Sequence, residues 1–109
     1  MLFRSTPLER GLPDGVCMDS EGGLWVAMWG GGCVLRLDAR GVISQVVKIP
    51  TPLATSCCFG SDGLLFVTTA QDSTASDALG GSLFVVQTDR EGLNVYPARL
   101  LVPGIETVG

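Results

Sequence analysis

An internal repeat constrains this chain more than any other feature. With an offset of 41 residues, Asp19-Ser20-Glu21-Gly22-Gly23-Leu24-Trp25-Val26 falls on Gly60-Ser61-Asp62-Gly63-Leu64-Leu65-Phe66-Val67. Gly31-Gly32 falls on Gly80-Gly81 once a longer polar loop, Gln71 to Leu79, is allowed in the second copy. In the first copy, Val16–Asp19, Leu24–Trp29, Cys33–Leu37 and Val42–Ile49 read as strands rich in β-branched and aromatic residues. Turns rich in Gly and Asp separate them, and Pro50 and Pro52 stop the last one. The second copy offers Thr55–Phe59, Leu64–Thr69, Ser82–Gln87 and a weaker Leu93–Leu100. A period of about 40–45 residues with four strands per copy is the pattern of β-propeller blades. An ordinary sandwich of eight similar strands is the alternative, and the aligned strand–turn–strand signatures favour blades. The expected fold is therefore all-β. It has about two four-stranded antiparallel blades, at 13–50 and 51–102, plus part of a preceding strand and its connector at 1–12 and a tail at 103–109.

Composition bears on what such blades would do. The chain has 109 residues, enough for one small domain, yet it is 46% hydrophobic and only 17% charged. A typical domain is about 25% charged, and small domains bury a smaller fraction of their surface. Some apolar faces are thus expected to meet another chain or further parts of the same one. Dimer and trimer are the expected assemblies, since homo-oligomers favour closed symmetry. The net charge is −4 and Lys48 is the only lysine, so binding nucleic acid through phosphate neutralisation is not expected. Histidine is absent, which excludes His-based triads, His–metal sites and a histidine pH switch. The four cysteines, Cys17, Cys33, Cys57 and Cys58, form no CxxC and lie in apolar, strand-like runs. They read as buried free thiols, which fits a reducing, cytoplasmic location. Met1-Leu2-Phe3-Arg4 lacks a basic n-region followed by a sustained apolar run, so neither a signal peptide nor a membrane helix is expected from these residues.

One acidic residue stands out. In Gly11-Leu12-Pro13-Asp14-Gly15-Val16-Cys17-Met18-Asp19, Pro13 fixes its own φ and biases Leu12 to an extended conformation. Gly15 removes bulk just beyond the carboxylate. Asp14 is then held where a turn feeds an apolar strand. Pro-Asp-Gly is also a common turn tripeptide in which the Asp bonds only its own backbone. The repeat adds a reason for function, because the first strand of a blade lines the central channel of a propeller. Asp14 would sit at the channel mouth, and its counterpart in the second copy is Thr55. Asp19, Glu21, Asp38, Asp62 and Asp89 read as solvated turn residues. Asp72 and Asp77 lie on the long loop, where a binding role is a weaker option. Trp25 and Trp29 share a strand face by period-two counting, for core packing or ligand stacking.

Leu12 to Ala27, Trp29-Gly30-Gly31-Gly32 and Val34-Leu35-Arg36-Leu37-Asp38 closely resemble the regucalcin/gluconolactonase (senescence marker protein-like) family. Thr55 to Gly60, Leu65 to Ala70 and Gly80 to Phe84 continue the match, so that it covers about residues 10–100. The resemblance implies a six-bladed propeller, of which this chain matches the C-terminal third or so. It also implies hydrolysis of sugar lactones with one divalent cation on the central axis, Ca²⁺ first, with Zn²⁺ or Mn²⁺ as alternatives. By the same resemblance Asp14 is a metal ligand and the catalytic general base. Thr55 is the weaker candidate, for substrate contact. The family's other metal ligands and its substrate-gripping residues have no matching position here. A hard cation takes roughly six to eight oxygen ligands, so Asp14 alone does not complete such a site. Two blades per chain would close a six-bladed ring as a trimer.

Overall fold

A computed structural model describes residues 10–73 and 77–93. Within them the chain forms seven strands: β1 (Leu12–Met18), β2 (Leu24–Trp29), β3 (Cys33–Leu37), β4 (Ile43–Lys48), β5 (Ala54–Phe59), β6 (Leu64–Thr69) and β7 (Leu83–Gln87). They make two antiparallel meanders, a four-stranded sheet β1-β2-β3-β4 and a three-stranded sheet β5-β6-β7. The expected strand at Leu93–Leu100 lies outside the described residues apart from Leu93, which is not in a strand. Of the preceding strand and connector expected at 1–12, residues 1–9 also lie outside them, as does the tail at 103–109.

The repeat is visible in the hydrogen bonds. In the first hairpin the Asp19 N–H donates to the Gly23 carbonyl at 2.8 Å, and in the second the Gly60 N–H donates to the Leu64 carbonyl at 2.8 Å. These pairs are related by the sequence offset, and so is strand register. Pro13 pairs with Met28 and Val16 with Val26, while Ala54 pairs with Thr69 and Cys57 with Val67.

Strand alternation then sorts the side chains into layers. Trp25, Ala27 and Val34 of the first sheet pack with Ala54, Cys57, Leu65 and Val67 of the second, flanked by Cys17, Phe59 and Phe84. Trp25 meets Phe59 edge to face, with ring centroids 5.5 Å apart, a geometry that aromatic quadrupoles favour. Each such large apolar side chain contributes about 1.5–3 kcal/mol on burial. The opposite face of the first sheet carries Val26, Met28, Cys33, Leu35 and Leu37, all buried. The central strands β2 and β3 are thus buried on both faces, whereas Val16 and Met18 of β1 and Val46 of β4 are exposed. On the second sheet Leu83 and Val85 face outward, 58% and 53% exposed. The described residues are thus all-β, two antiparallel meanders stacked face to face with β1 beside β5. Among the described residues no helix is long and apolar enough to cross a membrane.

Candidate functional site

The site predicted from the sequence lies on the two first strands. The Pro13-Asp14-Gly15 stretch is not a turn before the strand, as one reading of it held, but part of β1, which starts at Leu12. β1 is an edge of its sheet, where a proline's missing N–H costs no ladder bond. Between the pairs Pro13–Met28 and Val16–Val26 the register shifts, so that Asp14 and Gly15 together oppose Ala27. This is a β-bulge, a device that re-aims a side chain. The Asp14 side chain is exposed there.

The same irregularity recurs in β5. Ala54 pairs with Thr69 and Ser56 with Thr68, which leaves Thr55 as the extra residue. The Thr55 hydroxyl lies 2.7 Å from the Thr68 hydroxyl. Gly15 abuts Ser56 so closely that a Cβ at position 15 would lie 2.6 Å from the Ser56 Cβ and 2.8 Å from its Cα. The two bulges, one carrying Asp14 and the other Thr55, therefore occupy neighbouring strands. Glycine is needed at 15 because the backbones approach this closely.

This donor set does not by itself fit a divalent cation. Asp14 supplies one carboxylate, and Thr55 and Ser56 supply neutral hydroxyls. Among the described residues no three Cys, Asp or Glu side chains come together to hold a metal ion. Chemically, the arrangement offers one exposed carboxylate on β1 and the Thr55 and Ser56 hydroxyls on the adjacent β5, groups suited to hydrogen-bonding a polyol or completing a larger ligand set.

The other acidic residues have different fates. Asp19 corrects its expected place as a solvated turn residue, because it is completely buried. Its carboxylate accepts hydrogen bonds from Arg36 Nε at 2.7 Å, Trp25 Nε1 at 2.8 Å, Gly23 N at 2.8 Å and Glu21 N at 3.0 Å. Burial pushes its pKa up, but Arg36, Trp25 and the two backbone N–H groups outweigh that and hold it at about 2. Sequence reading missed this centre because Arg36 and Trp25 lie 17 and 6 residues away from it. The one available signal was an arginine in an otherwise apolar strand. Asp38 is the turn residue expected: its carboxylate accepts from Val42 N and Arg40 N, which draws its pKa down. Glu21 pairs with Arg90 at 2.7 Å on the surface. Asp77 binds inward to its own fold. It accepts from the Thr51 hydroxyl at 2.7 Å and from the Asp72 N–H at 3.1 Å, clamping the long loop to the linker between the sheets.

The thiols divide. Cys33 and Cys57 are buried as expected, whereas Cys17 is half-buried and Cys58 is exposed. Cys57 and Cys58 are consecutive in β5, so they point to opposite faces. Of the two tryptophans, Trp25 is core and Trp29, at the end of β2, is 38% exposed. A cleft of 580 Å³ lies at the β2–β3 turn, lined by Arg10, Gly31, Cys33, Lys48 and Thr51 among others. It contains none of the predicted site residues.

Comparison with known proteins agrees with this architecture. Residues 1–71 match the SMP-30/gluconolactonase/LRE-like region. Regucalcin of Sus scrofa is 41% identical over 98 residues, covering 82% of this chain and 33% of the relative. Human regucalcin is 46% identical over 74 residues, covering 65% of this chain and 25% of the relative. The crystal structure of a calcium-binding regucalcin from Agrobacterium tumefaciens superposes with a TM-score of 0.68 at 32% identity, over 76% of this chain and 30% of that one. A luciferin-regenerating enzyme gives 0.65 at 33% identity, with the same coverage of both chains. The chain thus spans between a quarter and a third of the length of these relatives. By sequence and by fold, the protein belongs to the SMP-30/gluconolactonase/LRE-like family.

Proposed function

We propose that this chain is part of a gluconolactonase-like, six-bladed propeller, with blades at 13–50 and 51–102, and that Asp14 is its contribution to a divalent-cation site acting on sugar lactones. The observation that supports this reading is the pair of matched bulges. They expose the Asp14 carboxylate on a first strand, where a propeller's channel would run, with Thr55 on the neighbouring strand. The remaining ligands, and the residues that select the substrate, have to come from polypeptide beyond these two blades or from other copies of the chain. A cation bound there would polarise the lactone carbonyl and activate water. The residues of this chain would do less: Asp14 would hold a ligand position and accept a proton, and Thr55 would hydrogen-bond a substrate hydroxyl. Thermal unfolding with Ca²⁺, Mn²⁺ or Zn²⁺, on the complete propeller that supplies the remaining ligands, tests the proposal. The melting temperature is expected to rise with at least one ion, and Asp14→Ala is expected to abolish that rise. No shift with any of the three would refute a metal role for Asp14.

A second reading rests on the outer face of the second sheet. Leu83 and Val85 are exposed, and Cys58, Phe66, Thr68 and Leu83 help line a 280 Å³ depression. An exposed apolar sheet face favours pairing. The reading is a non-catalytic, self-associating propeller segment, with a second copy of the chain covering this face as a dimer or a closed trimer. Light scattering on the eluted protein should give a discrete dimer or trimer mass. A concentration-independent monomer would refute self-association.

A further inference from the structure

We propose that Cys17 and Cys57 form a reversible disulfide that staples the two sheets together on exposure to hydrogen peroxide. Their sulfurs lie 3.6 Å apart across the junction between β1 and β5, from residues 40 apart in sequence, and both are free thiols here. A disulfide needs a separation of about 2.0 Å, so side-chain rotation has to close roughly 1.5 Å.

The two positions are not equivalent. Cys17 is half-buried, which gives a small oxidant access, whereas Cys57 is buried behind it and packs in the inter-sheet core. Cys57 also lies 3.5 Å from the Trp25 carbonyl, which holds its sulfur at the junction. The hydrogen bond between the thiols lowers the pKa of Cys17, and that bond together with burial raises that of Cys57. Cys17 is therefore the nucleophile and Cys57 the resolving thiol.

The chemistry balances with peroxide as the oxidant. The Cys17 thiolate attacks one peroxide oxygen, an S–O bond forms and the O–O bond breaks. The departing hydroxide takes up the proton that Cys17 lost, giving water, and Cys17 becomes a sulfenic acid. The Cys57 sulfur then attacks Cys17 Sγ. The S–S bond forms, the S–O bond breaks, and the hydroxide released leaves as water with the Cys57 proton. Peroxide is reduced to two waters and the two thiols are oxidised to one disulfide. A dithiol reductant reverses the step by exchange.

Graded peroxide treatment followed by intact-mass measurement tests this. The wild-type protein should lose the mass of two hydrogens while remaining one chain, and dithiothreitol should restore it. Its melting temperature should rise by about 5 °C or more, because the link closes a long loop. In the Cys33→Ala/Cys58→Ala protein the link should still form, and trypsin should leave Gly11–Arg36 joined to Ile49–Arg90. Cys17→Ala and Cys57→Ala should each abolish it. Oxygen adducts on Cys58 with Cys17 and Cys57 still free would overturn the proposal, as would cross-linked pairs of chains or loss of the link in the Cys33→Ala/Cys58→Ala protein.

Discussion

Replacing Asp19 by alanine should be among the most damaging single changes in the described part of the chain. Five N–H donors from four residues converge on its carboxylate, which is wholly buried, and its main partner Arg36 is only 4% exposed. Removing the anion leaves a buried guanidinium uncompensated, which costs about 3–5 kcal/mol. Domain stability is typically ~5–15 kcal/mol, so the variant approaches the unfolding threshold. Part of the effect depends on pH, and its sign follows from the direction of the shift. The pKa falls from 3.8 to about 2 on folding, so the unfolded chain binds a proton first as the pH drops. The charged group's contribution, about 2 kcal/mol at neutral pH, is complete above pH ~4 and fades as pH falls through ~2. Urea unfolding followed by tryptophan fluorescence should read both terms. Asp19→Ala should cost about 3–5 kcal/mol at pH 7, and the penalty of Asp19→Asn should shrink as the pH falls from 4 towards 2. Adding Arg36→Met to Asp19→Ala should recover part of the loss, since both charges are then gone. A cost below ~1 kcal/mol, the level of an exposed pair, would refute the argument. So would an Asp19→Asn penalty that stays constant with pH.

Gly15→Ala should destabilise by ~1–3 kcal/mol through overlap with Ser56, and Ser56→Gly in the same protein should relieve part of it; equal stability to wild type would refute the close approach of β1 and β5. Asp77→Ala should cost about 1–2 kcal/mol and should speed hydrogen exchange in the loop before β7, because it frees the buried Thr51 hydroxyl and the Asp72 N–H; unchanged exchange there would refute the clamp. Asp14→Ala should leave metal-free stability within ~0.5 kcal/mol, as for other exposed positions, so a large loss would mean that the carboxylate is structural.

Among the described residues the positions of most strands, their division into two meanders and the matched places of Asp14 and Thr55 were legible in the sequence. They depend on local signals: β-branched runs, Gly and Asp turns, and a spacing repeated at fixed offset. The offset even carries over to the register of the paired strands, because a repeated strand–turn–strand unit closes its hairpin in the same way each time. The bulge at Asp14 was not legible. Pro-Asp-Gly is compatible with a turn and with an irregular strand, and only the pairing of Pro13 with Met28 and Val16 with Val26 distinguishes them. The burial of Asp19 was equally out of reach, since a carboxylate in an Asp-Ser-Glu-Gly turn is solvated unless a distant cation comes to meet it. Periodicity gives the two faces of a strand but not which face meets a neighbouring sheet. Thus the split between Cys57 inside and Cys58 outside, and the contact of Cys17 with Cys57, arise only when one sheet is laid on the other. By itself the sequence determined how each sheet forms, because hydrogen-bonded hairpins are local. The tertiary structure alone decided which groups share the junction between the sheets, because burial and charge compensation depend on neighbours that are distant along the chain.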